Sequence, residues 1–391
     1  MYGASRLTLI VLLVLSSVDL HGQWITAIWS SNGSPEPVSA IPWSKFTHVT
    51  HWAALPNRNG TINSYGIYPA DTAALLVGGH AAGKHVLWAI SFTNDGTWAS
   101  ATSPGTIATF VANITNFTTS NGYDGVDLDW EANINIAQFK DLIFRLRNAM
   151  PDKTIIMDVL PGDAGIVAAA TQSSLDQVNM MCYDMWGSTS LSWHNASIYG
   201  GGRVTENSCD LQKNRLMSTG LTAAKMGMGI PFYGYRFTGV TGPLQKGRSS
   251  PTYFSYRDLV TDTARWQPQY QFYDDRCKAN YLSIPSLNEF DSYNGVQFMS
   301  DAVGWARANG LGGFMIFTQD NEYLAGETGD ARYPLSTALY NAVYGPPAAE
   351  PPVASTMPTL YAGAALLLVF ATFVAWMRDR SHTGTLKRES N

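Results

Sequence analysis

The chain has 391 residues, a hydrophobic content of 45% and a formal net charge of −5. This length allows one large domain or two domains of average size. Charged residues form no long run of either sign, so the composition gives no support to a nucleic-acid-binding protein.

The first 22 residues predict a cleaved secretory signal. Arg6 precedes an apolar run from Leu7 to Val18, which is about 12 residues long and therefore shorter than the roughly 20 residues that span a bilayer. Small and polar residues follow, and we expect cleavage between Gly22 and Gln23. The mature protein then enters the secretory pathway, which is an oxidising environment.

Eight short apolar runs follow the signal and alternate with longer helical or loop segments. Helical spacing of apolar residues marks the intervals Ile107–Thr119 and Phe139–Met150. Eight strand–helix units in about 320 residues predict an α/β fold, a closed parallel (β/α)8 TIM barrel over residues 23–344. The predicted strands are Trp24–Trp29, Phe46–Ala53, Val86–Phe92, Gly125–Trp130, Thr154–Leu160, Val178–Tyr183, Met226–Phe232 and Gly313–Thr318.

A doubly wound open sheet is the alternative fold, although no Gly-rich phosphate loop follows the first predicted strand. The longest interval, Phe237–Asn294, separates the seventh and eighth strands and contains clusters of Ser, Pro and Gly. It predicts an extended insertion or small subdomain. In a barrel, such an insertion projects from the face that carries the active site.

A second apolar segment, at residues 359–377, predicts a membrane anchor. It has no charge and the length of a spanning helix, and four basic residues follow it in a short tail at 378–391. Positive residues stay on the cytoplasmic side, so we expect a single-pass protein of the cell membrane with its main domain outside. A lipid-anchor signal is the alternative, but such signals end in their hydrophobic tail. Residues 345–358, rich in Pro and Ala, predict a semi-rigid stalk.

Three cysteines and five glycosylation triplets accord with secretion. We expect a disulfide between Cys209 and Cys277, which both lie in loop-like sequence. Cys182 lies in an apolar run and is expected to be a buried thiol. Asn-x-Ser/Thr triplets predict attached glycans in a secreted protein, and they occur at Asn32, Asn59, Asn113, Asn116 and Asn195.

Three carboxylates share one face of the fourth predicted strand. Side chains alternate along a strand, so Asp127, Asp129 and Glu131 point to the same side. Crowded acids in a low-dielectric site raise each other's pKa, and proteins tolerate this mainly at functional sites. Catalytic side chains gather at the carboxyl ends of barrel strands, where Glu131 lies. We therefore expect Glu131 to stay protonated near neutral pH and to act as a general acid.

A solvated acidic turn and a site for Mg²⁺ or Ca²⁺ are the alternatives for this segment. Apolar flanking residues disfavour the turn. The metal site is disfavoured because no His pair or EF-type loop lies nearby, and His48 and His51 are three apart on a strand and so on opposite faces.

The segment Tyr123–Glu131, YDGVDLDWE, resembles the D-G-x-D-x-D-x-E motif of glycoside hydrolase family 18, which comprises chitinases and endo-N-acetylglucosaminidases. Three further segments resemble the family in the same order: Gln177–Gly187, Lys225–Gly234 and Ala308–Phe317. The resemblance extends from about residue 24 to residue 344, and the family fold is the TIM barrel.

The resemblance implies substrate-assisted, retaining hydrolysis of β-1,4 linkages in chitin or chitooligosaccharides, without cofactor or metal. Glu131 would protonate the leaving oxygen while the sugar's own 2-acetamido oxygen attacks the anomeric carbon. Asp129 would hold the acetamido N–H and share a proton with Asp127, and Tyr183 would donate to the acetamido oxygen. The remaining expected substrate contacts are Asp184, Met181, Tyr233 and Phe317, with Trp186 as a candidate for sugar stacking.

Two positions depart from the family pattern. Ala89 occupies the place of a third-strand Ser, so we expect a changed proton balance between Asp127 and Asp129. Phe317 occupies the place of an eighth-strand Trp, which predicts weaker or shifted substrate binding. Two alternative functions stay open: an endo-N-acetylglucosaminidase acting on the chitobiose core of N-glycans, and a catalytically weak cell-surface chitin-binding lectin.

Overall fold

The computed structural model describes residues 23–188, 191–201, 207–248 and 250–345. Within these ranges the chain forms a mainly parallel sheet and a smaller antiparallel sheet. The strands are β1 Trp24–Ser30, β2 His48–Pro56, β3 Ile62–Asn63, β4 His85–Ile90, β5 Gly125–Leu128, β6 Thr154–Val159, β7 Gln177–Met180, β8 Met226–Pro231, β9 Tyr233–Thr238, β10 Thr252–Ser255, β11 Gln271–Asp274, β12 Ala279–Ile284, β13 Glu289–Tyr293 and β14 Gly313–Phe317.

Eight of these strands form a closed parallel barrel, in the order β1, β2, β4, β5, β6, β7, β8 and β14. The barrel closes because β1 pairs with both of its neighbours: Ala27 lies opposite Val49 of β2 and Ile316 of β14. The short strand β3 adds one antiparallel pairing to β2. The predicted barrel is confirmed, and each predicted run overlaps one barrel strand.

Helices cover the outside of the barrel through their apolar faces. Both sequence intervals with helical spacing are helices, α3 at Ile107–Asn121 and α4 at Ile136–Ala149. The α4 residues Phe139, Leu142 and Leu146 are buried. The α4 helix begins where the Asn135 side chain accepts a hydrogen bond from the backbone N–H of Gln138, a typical N-cap. The helices are α1 Pro69–Ala81, α2 Thr97–Ala101, α3 Ile107–Asn121, α4 Ile136–Ala149, α5 Asp163–Thr171, α6 Cys209–Ser218, α7 Tyr256–Thr261, α8 Val296–Ala308 and α9 Pro334–Tyr344.

The predicted insertion is a five-stranded antiparallel sheet, in the order β10, β9, β13, β12 and β11. It begins at Tyr233, directly after β8, which is earlier than the predicted start at Phe237. Arg236 of β9 donates to the buried Asp291 of β13 at 2.8 Å. This ion pair joins two neighbouring strands of the small sheet.

The disulfide joins Cys182 to Cys209, with 5.1 Å between their Cα atoms, so the predicted Cys209–Cys277 bridge is wrong. Cys182 follows β7 and Cys209 is the first residue of α6, and both are fully buried. The apolar run around Cys182 suggested a thiol, but a buried disulfide is equally compatible with apolar surroundings. Cys277 lies in the turn between β11 and β12, where its carbonyl accepts from the N–H groups of Ile198 and Tyr199.

No helix in the described part of the chain is long and apolar enough to cross a membrane. The predicted signal at 1–22, spanning segment at 359–377 and tail at 378–391 lie outside the described residues, as does the predicted stalk apart from Gly345.

Candidate active site

In the acidic segment formed by β5 and the residues after it, successive side chains point to opposite sides, as the sequence predicts. Val126, Leu128 and Trp130 belong to the apolar core, where the Trp130 ring stacks on that of Trp98 at 5.3 Å. Asp127 therefore points to the opposite side, into the barrel. It is fully buried, and Asp129 is 2% exposed, whereas Glu131 is half-buried. The strand places two acids in the barrel interior and the third nearer to solvent.

A fourth carboxyl, Asp158, lies beside these three. The register pairs Leu128 of β5 with Met157 of β6, so Asp158 is level with Asp129 across the two strands. Asp158 is 2% exposed, and its Oδ1 accepts a hydrogen bond from Asn179 Nδ2 of β7 at 3.2 Å. This residue was not among those predicted from the sequence. A single carboxylate in the apolar run Thr154–Leu160, close to the carboxyl end of a barrel strand, was the signal that could have found it.

The buried acids differ in their hydrogen bonds. Ser91 donates to Asp129 Oδ2 at 3.3 Å, whereas no described side chain donates to either oxygen of Asp127. The register places Ala89 of β4 directly opposite Asp127. An alanine at this position has no hydroxyl to offer, and the expected change in the proton balance between Asp127 and Asp129 stays a prediction.

Burial raises the pKa of every acid in this cluster. It raises the pKa of Asp127 to about 8, with a further contribution from Asp129. The pKa of Asp129 is raised by burial, then by Glu131 and Asp158, and that of Asp158 by burial, then by Asp127. The pKa of Glu131 is raised by burial and by Asp184. The cluster therefore retains protons at neutral pH.

Aromatic side chains form the wall that faces these acids. The Phe317 ring stacks on Tyr183 at 5.7 Å and meets the edge of Trp52 at 5.2 Å. Tyr233 meets Tyr183 edge to face at 6.0 Å. Burial, followed by the nearby Asp158, raises the pKa of Tyr183, so its hydroxyl remains a hydrogen-bond donor.

Asp184 is held in place by two neighbours. Its Oδ1 accepts from the Tyr233 hydroxyl at 2.8 Å, and its N–H donates to Asn195 Oδ1 at 3.0 Å. Asn195 Nδ2 in turn donates to the Tyr233 carbonyl at 3.1 Å. Asp184 has a positive φ of 55°, a conformation that is uncommon for residues other than glycine. The Asn195 side chain thus joins the chain after β7 to the start of β9.

Glycosylation at Asn195 was predicted, and this prediction is wrong. Asn195 is fully buried, and its amide makes both hydrogen bonds described above, so it has no room for a glycan. Asn113 is half-buried and donates to the Gly60 carbonyl at 2.8 Å. Asn32, Asn59 and Asn116 are exposed, and glycans at these sites stay predictions.

One pocket gathers most of the predicted site. Asp127 lies below it, and Trp186 instead packs against Tyr235 and Phe237 at 5.0 and 6.2 Å. Besides Asp158, two aromatic lining residues were not predicted from the sequence: Trp52, in the middle of β2, and Phe92, two residues after β4. The lining residues are Trp52, Phe92, Asp129, Glu131, Asp158, Met181, Tyr183, Asp184, Tyr233 and Phe317.

A second groove adjoins the pocket, and Glu131 lines both. Asn133, Ile134, Leu160 and Asp163 are among its other lining residues. Glu131 therefore lies at the boundary between two spaces. A chain-like ligand that occupied both spaces would lie beside Glu131.

A metal-binding arrangement occurs elsewhere in the described residues, where ligand atoms of His194, Asp274 and Cys277 lie within 4.8 Å of one another. His194 Nε2 lies 3.2 Å from Asp274 Oδ2, in hydrogen-bond contact. Metal-binding histidines usually donate their second ring N–H to an acceptor, but no described residue bonds to the buried Nδ1 of His194. This cluster is better described as a hydrogen-bonded group than as a metal centre.

The family model of the glycosyl hydrolases family 18 matches residues 26–322, a range that includes the whole pocket. The chain belongs to this family. Chitotriosidase-1 of Mus musculus is 24% identical over 273 residues, covering 59% of this chain and 56% of that protein. Endochitinase 1 of Metarhizium robertsii is 26% identical over 356 residues, covering 76% of this chain and 81% of that protein.

The chain spans little more than half the length of the mouse protein and 57% of chitinase 1 of Aphanocladium album. Among solved structures, the Group IV chitinase of Ostrinia furnacalis superimposes with a TM-score of 0.72 at 18% identity, covering 82% of this chain and 99% of that chain. The class V chitinase of Nicotiana tobaccum gives a TM-score of 0.70 at 17% identity, covering 82% of this chain and 99% of that one. These similarities show that the family 18 fold is shared.

Proposed function

We propose that this protein hydrolyses β-1,4 linkages between N-acetylglucosamine units of chitin or chitooligosaccharides. The observation that carries the proposal is the position of Glu131 at the boundary between the pocket and the adjoining groove, above the buried carboxyls. A saccharide that occupied both spaces would place a glycosidic oxygen near this acid. Membership of family 18 and the names of the similar proteins, which are chitinases, support the same reaction.

The first step would be cleavage assisted by the substrate. Burial raises the pKa of Glu131 and so favours its protonated form, and this form would donate its proton to the glycosidic oxygen. The 2-acetamido oxygen of the sugar in the pocket bonds to the anomeric carbon as the bond to the leaving sugar breaks. Asp129 would accept from the acetamido N–H and stabilise the positive charge of the oxazolinium ion, and the Tyr183 hydroxyl would orient the acetamido oxygen.

The second step would return the enzyme to its starting state. Glu131, now ionised, removes a proton from a water molecule, whose oxygen bonds to the anomeric carbon while the bond to the acetamido oxygen breaks. The configuration at that carbon is retained. Asp184, supported by Tyr233 at 2.8 Å, and the aromatic wall would hold the sugar through both steps.

The test is the time course of products from N-acetylated chitotetraose, followed by mass spectrometry with the full chain produced in eukaryotic cells. We expect the wild type to cleave the tetramer and Glu131→Gln to lower the rate about 10²–10⁴-fold, the usual range for a general acid–base group. The matched control is Glu327→Gln, an exposed glutamate, which should keep the wild-type rate. Equal rates for wild type and Glu131→Gln would exclude the mechanism.

The same assay distinguishes the two alternative functions. Release of glycans from a denatured glycoprotein without cleavage of the tetramer would indicate an endo-N-acetylglucosaminidase. Binding of the tetramer without turnover across a wide pH range would indicate a lectin.

We also propose that the enzyme acts outside the cell, tethered through residues 359–377. The buried Cys182–Cys209 disulfide supports an oxidising compartment. Removal of residues 359–391 should release the protein into the medium, whereas the full chain should stay with the cell surface and react with an impermeant label. Full-length protein in the medium, or inaccessible to the label, would contradict this proposal.

A further inference from the structure

Asp158 is a buried carboxyl that the reaction above does not use. It lies near the carboxyl end of β6, pairs with Asn179 of β7 and lines the pocket in which the sugar would bind. Its Oδ1 is occupied by the hydrogen bond from Asn179 Nδ2. No described residue makes a hydrogen bond to Oδ2, so this oxygen is available to a molecule in the pocket.

The titratable groups that face Asp158 come from both neighbouring strands. Asp127, Asp129 and Glu131 face it from the β5 side, and Tyr183 faces it from the end of β7. None of these groups is a cation. Several buried carboxylates without a positive partner are strongly unfavourable, so protons must neutralise most of this cluster.

The hydrogen bond from Asn179 determines where a proton on Asp158 would lie. Asn179 Nδ2 is a donor, so Asp158 Oδ1 must act as an acceptor. A protonated carboxyl then carries its O–H on Oδ2. Because Asp158 lines the pocket, an O–H on Oδ2 can be presented to a ligand there.

We propose that Asp158 is protonated in the resting enzyme and presents its O–H to the sugar in the pocket as a donor that recognises the acetamido carbonyl beside Tyr183. This inference rests on the proposed function, because it assumes an N-acetylated sugar as the ligand. It makes Asp158 a specificity-determining residue. A neutral donor favours a carbonyl oxygen, whereas an ionised Asp158 would favour the ammonium group of a deacetylated sugar.

Two substitutions of Asp158 test whether it is protonated or ionised in the resting enzyme. Asp158→Asn keeps an acceptor for Asn179 and replaces the O–H with an N–H donor, so it mimics the protonated acid. We expect it to keep kcat/KM for N-acetylated chitotetraose within about threefold of wild type. Asp158→Ala removes the donor and should lower kcat/KM about 10- to 100-fold, as expected for one lost hydrogen bond in a buried site. Asp152→Asn, an exposed carboxyl just before the same strand, is the matched control and should match wild type.

Infrared spectroscopy detects the proton on Asp158 directly. A purely structural role for Asp158 would not predict a protonated-carboxyl band from this residue. The infrared spectrum of the full chain at pH 7 should contain a protonated-carboxyl band that is absent in Asp158→Asn and present in Asp152→Asn. Loss of a carboxylate band instead would show that Asp158 is ionised, which would overturn the inference. An Asp158→Asn variant as impaired as Asp158→Ala would overturn it too. If Asp158→Ala does not fold, the infrared comparison decides alone.

The outcomes distinguish a failure of the inference about Asp158 from a failure of the proposed function. If wild-type protein binds the tetramer but does not cleave it, the hydrolase proposal fails, while the infrared band and the affinities of the two variants still test Asp158. If wild type cleaves the tetramer and the band is unchanged in Asp158→Asn, only the inference about Asp158 fails.

Discussion

Asp127 and Glu322 are both fully buried carboxyls near the same end of the barrel, and burial raises the pKa of each to about 8. Their hydrogen bonds differ. Glu322 accepts from the N–H of Leu335 at 2.6 Å, from the N–H of Ser336 at 3.0 Å and from the Ser336 hydroxyl. Asp127 accepts from no described side chain and lies among three other acids.

The difference separates two uses of a buried acid. Glu322 satisfies backbone groups at the start of α9, which have no partner within the helix, and so it fixes this helix to the chain that follows β14. Asp127 makes no comparable contribution to the fold. Burial and a raised pKa are therefore shared by Glu322, which holds the start of a helix, and Asp127, which lies in the candidate site, and their hydrogen-bond partners distinguish these two residues.

The largest effect is expected on activity, from a substitution in the candidate site. Asp129→Asn removes the carboxyl group that would accept from the acetamido N–H and stabilise the oxazolinium ion, and we expect kcat to fall roughly 10²–10³-fold, the usual cost of losing a preorganised electrostatic group. Steady-state kinetics with chitotetraose would measure it. Asp141→Asn, a substitution on the surface of α4, serves as the control. A fall of less than about threefold would remove Asp129 from the mechanism.

Glu322 should show the opposite pattern. Glu322→Ala leaves two buried N–H groups without an acceptor, at about 1–3 kcal/mol each, so we expect the free energy of unfolding to fall by at least about 2 kcal/mol. The kcat of the remaining folded protein should equal that of wild type. Chemical denaturation measures the first quantity, and Glu322→Gln, which keeps one oxygen, should lose less. An unchanged free energy of unfolding would contradict the claim that Glu322 stabilises the fold.

Asp127 should destabilise the fold in a pH-dependent manner. Its carboxyl ionises near pH 4 in the unfolded chain but stays protonated up to about pH 8 in the folded protein, so wild type loses free energy of unfolding as the pH rises through this window. Asn cannot ionise. The melting temperature of Asp127→Asn should therefore equal that of wild type near pH 4 and exceed it increasingly up to about pH 8. A constant difference across this range would contradict the assignment.

The smallest effect concerns Asn195. Its side chain, like that of Glu322, is buried and holds backbone groups through hydrogen bonds. Ser197→Ala removes the glycosylation triplet while keeping Asn195. We expect the glycan mass of the secreted protein to be unchanged, as measured by intact mass spectrometry before and after enzymatic deglycosylation. A loss of one glycan would show that Asn195 is accessible during folding. Asn59→Gln, at an exposed triplet, is the comparison variant.

The barrel could be predicted because its sequence signals are local and repeated. Each strand is a short apolar run, and α3 and α4 have apolar residues at helical spacing. The ends of the strands were less predictable. β5 ends at Leu128 rather than Trp130, since pairing with neighbouring strands determines where a strand stops.

The candidate site was partly predictable for a different reason. Asp127, Asp129 and Glu131 are close in sequence, so alternation along one strand is enough to group them. Asp158 joins them only through the register between β5 and β6, and Asn195 reaches Asp184 only after the chain folds back. The disulfide partner of Cys209 was missed for the same reason, because one sequence contains no direct record of long-range pairing.

Because of the Cys182–Cys209 bridge, the order of the pocket wall should depend on the cellular compartment in which the chain folds. It closes a loop that contains Tyr183 and Asp184, which line the pocket, and Asn195, which supports Asp184. The carboxyl cluster on β5 and β6 lies outside this loop. A chain synthesised in a reducing cytosol should therefore build the barrel and its acids but hold the wall loosely, so that full activity would first appear after export.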